Sequence, residues 1–284
     1  MTFSPSRYAD LLKIITDKDY AKEKHLNVKK VSLSNNDLFI IRYIKTFLNT
    51  DNIKTLGLFR SIIVNHKGVI LSFAPPKSIN MDEFVTETDC DSVEFSEFCE
   101  GTMINLFWNT GVEDWELATK GTIGARCKFF QEYPKTFRYL FLEILTEKQI
   151  ELSSFNKNYI YSFIIQHPDN RIVVPFDKMD IKLIQMYTVD ENNDISSFNT
   201  LQELSEKINE NITIETPQLL HKIVDSTNYS IEEVKNKFKG LNLSWKIVGA
   251  VFTNTKTGVR TKIRNPSYEY VKELKGNNPK IQFQ

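Results

Sequence analysis

Lysine and arginine crowd the last 50 positions of this 284-residue chain, and the chemistry open to them is the capture of phosphate. Residues 235–284 hold Lys235, Lys237, Lys239, Lys246, Lys256, Arg260, Lys262, Arg264, Lys272, Lys275 and Lys280, against only Glu269 and Glu273. That segment carries +9 and the first 234 residues carry −9. Eight acids and no base lie between Asp82 and Glu100. The total is zero, 36 basic against 36 acidic side chains, which alone speaks against a nucleic-acid partner. The distribution permits one along a single face. A solvated lysine-rich face is the plain alternative for any charge run of this kind.

Other chemistries find no footing in the spacing. His25, His66, His167 and His221 are scattered, so no zinc site and no protein-held metal is expected. Asp89-Cys90-Asp91 begins like a calcium loop, but Glu94 stands where that loop needs glycine. No GxGxxG, GxxxxGK[ST] or GxSxG occurs. Cys127 beside Lys128 reads as a structural thiol, and three cysteines without a CxxC suit a reducing compartment.

These residues must be positioned by a mixed set of elements. Leu58–Phe73 reads as two strands with a turn at Asn65–Gly68, and Val93–Phe98 with Thr102–Trp108 as a second pair around Gly101. Tyr159–Gln166, Arg171–Pro175 and Ile181–Tyr187 continue the β pattern. Phe137, Leu140, Phe141, Ile144 and Leu145 form the stripe of an amphipathic helix. Thr200 with Glu203, and Ser230 with Glu233, predict capping boxes opening two more helices. Val248–Phe252 and Val259–Arg264 predict strands about a turn at Thr257–Gly258, with a helix after Pro266. The order predicts an α+β fold with mostly antiparallel sheets and flanking helices, in a single domain over 1–284 with a flexible edge near 189–199. No apolar run is long enough for a membrane span, so no membrane partner is expected. The start, MTFSPSRYADLL, has no signal-sequence pattern and predicts an intracellular, cytoplasmic protein.

Read in order, five segments resemble the phage-type RNA ligases of the covalent nucleotidyltransferase superfamily. LGLFRSIIVNHKGVILSFAPPKSIN (56–80) is similar to the family's arginine strand and the lysine strand after it. EFCEGTMINLFW (97–108) occupies the place of the nucleophile motif K-x-D-G-[ST], and ELATKGTIGA (116–125) that of S-K-G-S. FIIQHPDNRIVV (163–174) resembles F-E-x-x-x-P-x-N-R-I-V, and VRTKIRNPSYEYVKEL (259–274) the terminal K-x-K motif. The resemblance implies the RNA ligase-like nucleotidyltransferase fold, ATP and magnesium as cofactors, and nucleotides and RNA 5′ or 3′ ends as partners. Family members often continue into a specificity domain; here the chain closes at IQFQ and none is expected.

The family's chemistry needs a lysine amine to attack the α-phosphate of ATP. On this alignment Phe98 stands at the nucleophile, Glu100 at the following Asp, Ile164 at the sugar-contacting Glu and Val248 at the metal-associated Glu. The basic positions are kept: Arg60, Lys77 and Lys120 match nucleotide-contacting residues, and Lys262 with Arg264 match the paired lysines of the triphosphate site. Residues i and i+2 of a strand share a face, so Lys262 and Arg264 can enter one groove. Arg126 and Arg171 are further candidates, and Glu100 is expected to pair with Lys120. Phe98, Phe107 and Trp108 are expected in the core rather than as a stacking platform. The first reading is a pseudoenzyme-like protein that binds a nucleotide or RNA end without forming lysyl–AMP. The second is an active ligase or nucleotidyltransferase with a non-standard nucleophile, Lys120 leading. The third is a non-catalytic structural or assembly factor. The EGTMINLFW variant and the richness in Lys, Asn and Ile suit a large DNA virus, placing the protein in an infected host cell.

Overall fold

Among the described residues the chain forms thirteen strands and eight α-helices. A computed structural model describes residues 2–33, 36–129, 134–210, 212–222 and 230–276. Lys280 and the closing IQFQ lie outside the described residues. The strands are β1 (Thr2–Phe3), β2 (Leu26–Leu33), β3 (Asn36–Tyr43), β4 (Ile62–Asn65), β5 (Ile70–Phe73), β6 (Val93–Glu97), β7 (Thr102–Asn109), β8 (Asp114–Ala118), β9 (Ile160–Gln166), β10 (Asp180–Val189), β11 (Ile195–Ser197), β12 (Gly249–Asn254) and β13 (Arg260–Arg264). The helices are α1 (Pro5–Tyr8), α2 (Leu11–Thr16), α3 (Lys18–Glu23), α4 (Met81–Glu87), α5 (Phe137–Glu147), α6 (Leu201–Asn209), α7 (Ile231–Lys237) and α8 (Pro266–Lys275).

Every pairing between these strands is antiparallel, in three sheets ordered β1-β11-β10-β9-β7-β8, β2-β3-β4-β5 and β13-β12-β6. The six-stranded sheet is covered on both faces. Phe107, Ile160 and Tyr187 pack against Leu38, Ile40, Ile62 and Phe73 of the four-stranded sheet. Ile104, Leu106, Phe163 and Leu183 pack against Phe141 and Ile144 of α5 and Leu204 of α6. The third core joins Phe95 and Phe252 of the small sheet to Phe84 of α4 and Val234 of α7. Each fully buried phenylalanine contributes about 2–3 kcal/mol by leaving water. Phe107 is completely buried, as expected of a core side chain; Trp108 is half-buried with Lys157 over its ring at 3.8 Å.

The α5 stripe, both capping boxes, the Asn65–Gly68 turn and the β12–β13 hairpin lie where the sequence predicts them. Two expectations fail. β6 and β7 are not partners: β6 pairs with β12, β7 with β8 and β9. Gly101 between them holds φ +139° and lies so close to β9 that a Cβ there would meet Ile165 O at 2.3 Å. The chain therefore crosses from one sheet to another at that glycine, which other residues could not follow without strain. Arg171–Pro175 is not a strand, because the backbone N–H groups of Val173 and Val174 donate to the Glu100 carboxylate instead of a ladder. The 189–199 stretch forms a hairpin, in which Asp190 accepts from the N–H groups of Asn192 and Asp194 and β10 pairs with β11.

Candidate functional site

Strand alternation on β13 sends Arg260, Lys262 and Arg264 to one side, and all three line a cleft of about 390 Å³. Arg60 joins them, following the 310 turn Leu56–Leu58 that leads into β4. Met103 of β7, Ile164 of β9 and Ile184 of β10 give the cleft an apolar surface, with Phe198 and Leu201 at the start of α6. Glu94 and Glu97 of β6 line it as well, and both carboxylates accept backbone hydrogen bonds. Glu94 takes the Leu201 N–H at 2.9 Å, and Glu97 takes the Gln218 N–H at 2.9 Å. Burial raises the pKa of Glu94.

Phe98 follows β6 and lies between the cations: Lys262 Nζ and Arg264 Cζ each stand 4.9 Å from its ring centroid. Such contacts contribute about 0.5–2 kcal/mol. The ring is half-buried at the cleft and packs toward Val173, Val248 and Tyr268. It is thus neither a pure core residue nor an open stacking platform.

The cleft holds both signs of charge, but among the described residues most of its cations lack an ion-pair partner. Arg264 is tied to Glu269 at 2.7 Å, but among the described residues Arg60, Arg260 and Lys262 have no carboxylate within ion-pair distance. Lys262 opens to the cleft water, yet protein atoms crowd it enough to desolvate its ammonium. That crowding first, then Arg264, Lys77, Arg60 and Arg260, brings its pKa down to about 8. The Arg60 guanidinium is disfavoured by burial and by Arg260. Unpaired cations held together against their repulsion are arranged for an anion that neutralises them.

Of the residues singled out from sequence, Arg60, Lys262 and Arg264 come together in the cleft. Lys77 and Lys120 stand outside its lining, in a neighbouring group of cations that reaches Arg60. Arg126 and Arg171 are exposed and do not line it; Arg171 Nε donates to Val173 O at 3.1 Å. Glu100 does not pair with Lys120. It is buried, accepting from Val173 N–H, from Val174 N–H at 3.0 Å and from Tyr268 Oη–H at 3.3 Å. Its burial raises its pKa despite those bonds. Arg260 also lines the cleft, and its i−2 spacing from Lys262 announces the shared strand face. Arg42 and Lys45 carried no such signal. Of the apolar residues that the sequence resemblance aligns with family acids, Ile164 lines the cleft and Val248 is buried with Val173 and Tyr268. Val248 offers no donor to a divalent cation, and no group of three or more metal-ligating side chains exists among the described residues. The donor set at that position does not fit a protein-held metal. No helix among the described residues is long and apolar enough to cross a membrane.

Comparison with known proteins agrees with the fold. No protein-family profile matches the chain. An RNA ligase of Rhodothermus phage RM378 is 28% identical over 205 residues, covering 63% of this chain and 45% of that protein. The chain thus matches less than half the length of that relative. A protein of Aquifex aeolicus assigned as an ATP-dependent DNA ligase superposes with a TM-score of 0.56 at 14% identity, over 95% of this chain and 68% of that one. An archaeal ATP-dependent RNA ligase superposes with a TM-score of 0.53 at 13% identity, over 88% and 61%. By sequence the chain is a homologue of a phage RNA ligase, and by structure it has the α+β nucleotidyltransferase fold of the ATP-dependent RNA and DNA ligases.

Proposed function

We propose that this RNA ligase-like protein binds a nucleotide or the phosphorylated end of an RNA in the cleft, without forming a lysyl–AMP at the family's nucleophile position. One observation supports the reading: Arg60, Arg260 and Lys262 converge, without ion-pair partners among the described residues, on a cleft lined by Phe98, the residue that the sequence resemblance aligns with the family's nucleophile. A ring has no lone pair to attack phosphorus, whereas the cations beside it retain the means to hold phosphate. ATP is the favoured nucleotide because structural relatives are ATP-dependent ligases. Magnesium would enter with the triphosphate, held by phosphate oxygens and water, as that ion commonly is.

Calorimetry with ATP, together with α-labelled ATP and Mg²⁺ followed by denaturing electrophoresis, tests the reading. Heat of binding is expected, and no label should survive on the chain. Label that disappears on Lys120→Ala or Lys262→Ala would establish catalysis through a non-standard nucleophile. Lys262 is the better surrogate of the two, since it stands over Phe98 with a depressed pKa of about 8. Absence of heat with ATP, GTP or short RNA at low salt would instead favour a structural or assembly role.

The same lysine makes binding pH-dependent. Its pKa of about 8 means that the free protein loses this charge as pH rises through that value. ATP must then recruit a proton, so affinity is expected to fall roughly tenfold between about pH 7 and about pH 9. Lys262→Arg keeps its charge there and should flatten the profile. Without ligand the sign reverses. A lysine pKa lowered by folding lets the unfolded chain hold more protons between about 8 and the ordinary 10.5, so this group's effect on stability improves as pH rises through that window.

A further inference from the structure

A second group of cations adjoins the cleft through Arg60, drawn from β3, the 310 turn after it, the segment after β5 and the turn after β8. Arg42 closes the core-facing row of β3, two residues after the fully buried Ile40. Its guanidinium rests against the 119–122 turn, where a Cβ added at Gly121 would lie 3.0 Å from Nη1. The Nε of Arg42 is buried and has no hydrogen-bond partner among the described residues. Lys120, on that turn, holds its ammonium 5.4 Å from the ring of Tyr43. Lys77 sits between Pro76 and Ser78 of the cleft wall, its Cβ against Gly57. Lys45 opens the 310 turn Lys45–Phe47 that follows β3.

Among the described residues none of these four cations has a carboxylate within ion-pair distance. They lie close enough to feel one another. The Lys120 ammonium is disfavoured by burial and then by Arg60, Arg42, Lys77 and Lys45, and Lys77 by burial and then by Arg60 and Lys45. Arg60 belongs to both groups and joins this one to the cleft.

Phe47 closes the 310 turn that Lys45 opens, and is exposed and stacked on His25 with ring centroids 4.0 Å apart and planes 8° from parallel. The Ile44 N–H donates to His25 O at 2.9 Å, which fixes the two segments together. One face of the phenyl ring is therefore backed by the imidazole, and the ring is 47% exposed to a ligand. Unpaired cations in a group suit a chain of phosphates, and a propped, exposed aromatic ring suits an unstacked base. A small anion would need only the cleft, and a duplex would present no free base to Phe47.

We infer that Arg42, Lys45, Lys77 and Lys120, with Phe47, form a track for single-stranded nucleic acid whose terminal phosphate enters the cleft. The track rests on the phosphate-binding reading of the cleft and extends it: the cleft takes the end, and the second group takes the following nucleotides.

Fluorescence anisotropy with 5′-phosphorylated oligouridylate and oligoadenylate of about 12 nucleotides tests it. Phe47→Ala should weaken binding about five- to hundredfold, the loss of one stacked base. Arg42→Gln with Lys45→Gln should reduce the slope of log affinity against log salt by about 1.4, at about 0.7 per lost phosphate contact. Duplex RNA of equal length should bind at least about tenfold more weakly than the single strand. Single-stranded DNA compared with RNA reports whether the 2′-hydroxyl contributes. ATP affinity, read by calorimetry, should be unchanged by Phe47→Ala. Unaltered oligonucleotide affinity in Phe47→Ala, an unaltered salt slope in the double variant, or equal affinity for duplex overturns the track. Loss of the track with ATP binding intact leaves the cleft reading standing. Oligonucleotide binding that responds to these variants in a chain binding no ATP overturns the cleft reading instead.

Discussion

Replacing Arg260 and Lys262 together by alanine is expected to weaken ATP binding at least about a hundredfold, with no loss of fold stability. Each charge-assisted hydrogen bond to a phosphate contributes about 1.5–3 kcal/mol, so two removed contacts amount to about 3 kcal/mol or more. The two cations that stay cannot compensate, because Arg264 is shared with Glu269 and Arg60 reaches the cleft from another element. The stability arm separates a binding role from a structural one. Among the described residues neither Arg260 nor Lys262 has a carboxylate partner, and each raises the cost of charging its neighbours. Their β13 backbone bonds to β12 do not depend on the side chains. Removing them relieves repulsion, which offsets the lost contact of Lys262 with the Phe98 ring, so the thermal midpoint of the free protein should stay level. Calorimetry and a thermal melt on the same preparation check both arms. ATP affinity within about threefold of the parent chain would place the phosphates elsewhere.

Glu100→Ala carries the largest expected effect on folding, a loss of about 4 kcal/mol in urea denaturation. The carboxylate takes the N–H groups of Val173 and Val174 and the hydroxyl of Tyr268 inside a buried apolar setting. Alanine would leave those donors without a partner, and each buried orphan costs about 1–3 kcal/mol. Tyr268→Phe removes one donor together with its need, so its cost should be only about 1 kcal/mol. The pH sign follows from burial outweighing the bonds. A carboxyl whose pKa is raised on folding supports the fold below the unfolded value, and that support is lost as pH rises through the folded value. Glu100→Gln should therefore flatten this part of the stability profile. A stability equal to the parent in Glu100→Ala would mean that other groups hold the 171–175 segment.

Glu100 also marks the boundary between what was readable along the chain and what was not. Its neighbours in sequence include Glu97 and Gly101, and from them an acid near a basic pocket reads as an ion pair. Its actual partners lie 73 and 168 residues away, and no local pattern announces them. The same distance explains Arg171–Pro175, whose apolar run reads as a strand although its amides are committed to that carboxylate. β6 and β7 failed for a related reason. Each has the right alternation, but adjacency around a glycine does not decide whether two strands share a sheet.

By itself, the sequence determined the features whose physics acts within a few residues. The α5 stripe follows from helical periodicity, the Thr200 and Ser230 caps from side chains reaching amides three positions on, and the common face of Lys262 and Arg264 from the pleat of β13. It also determined the antiparallel α+β class and the basic character of the terminal strand. Only the tertiary structure decided which charges meet. Arg60 and Arg260 are 200 positions apart yet oppose each other's charge, and Arg42 joins Lys120 across 78. Coulomb energy depends on separation in space and on the water excluded between charges, neither of which is written in residue order. The zero net charge of the chain therefore coexists with a cleft and an adjoining group of cations from which, among the described residues, nearly all carboxylate partners have been folded away.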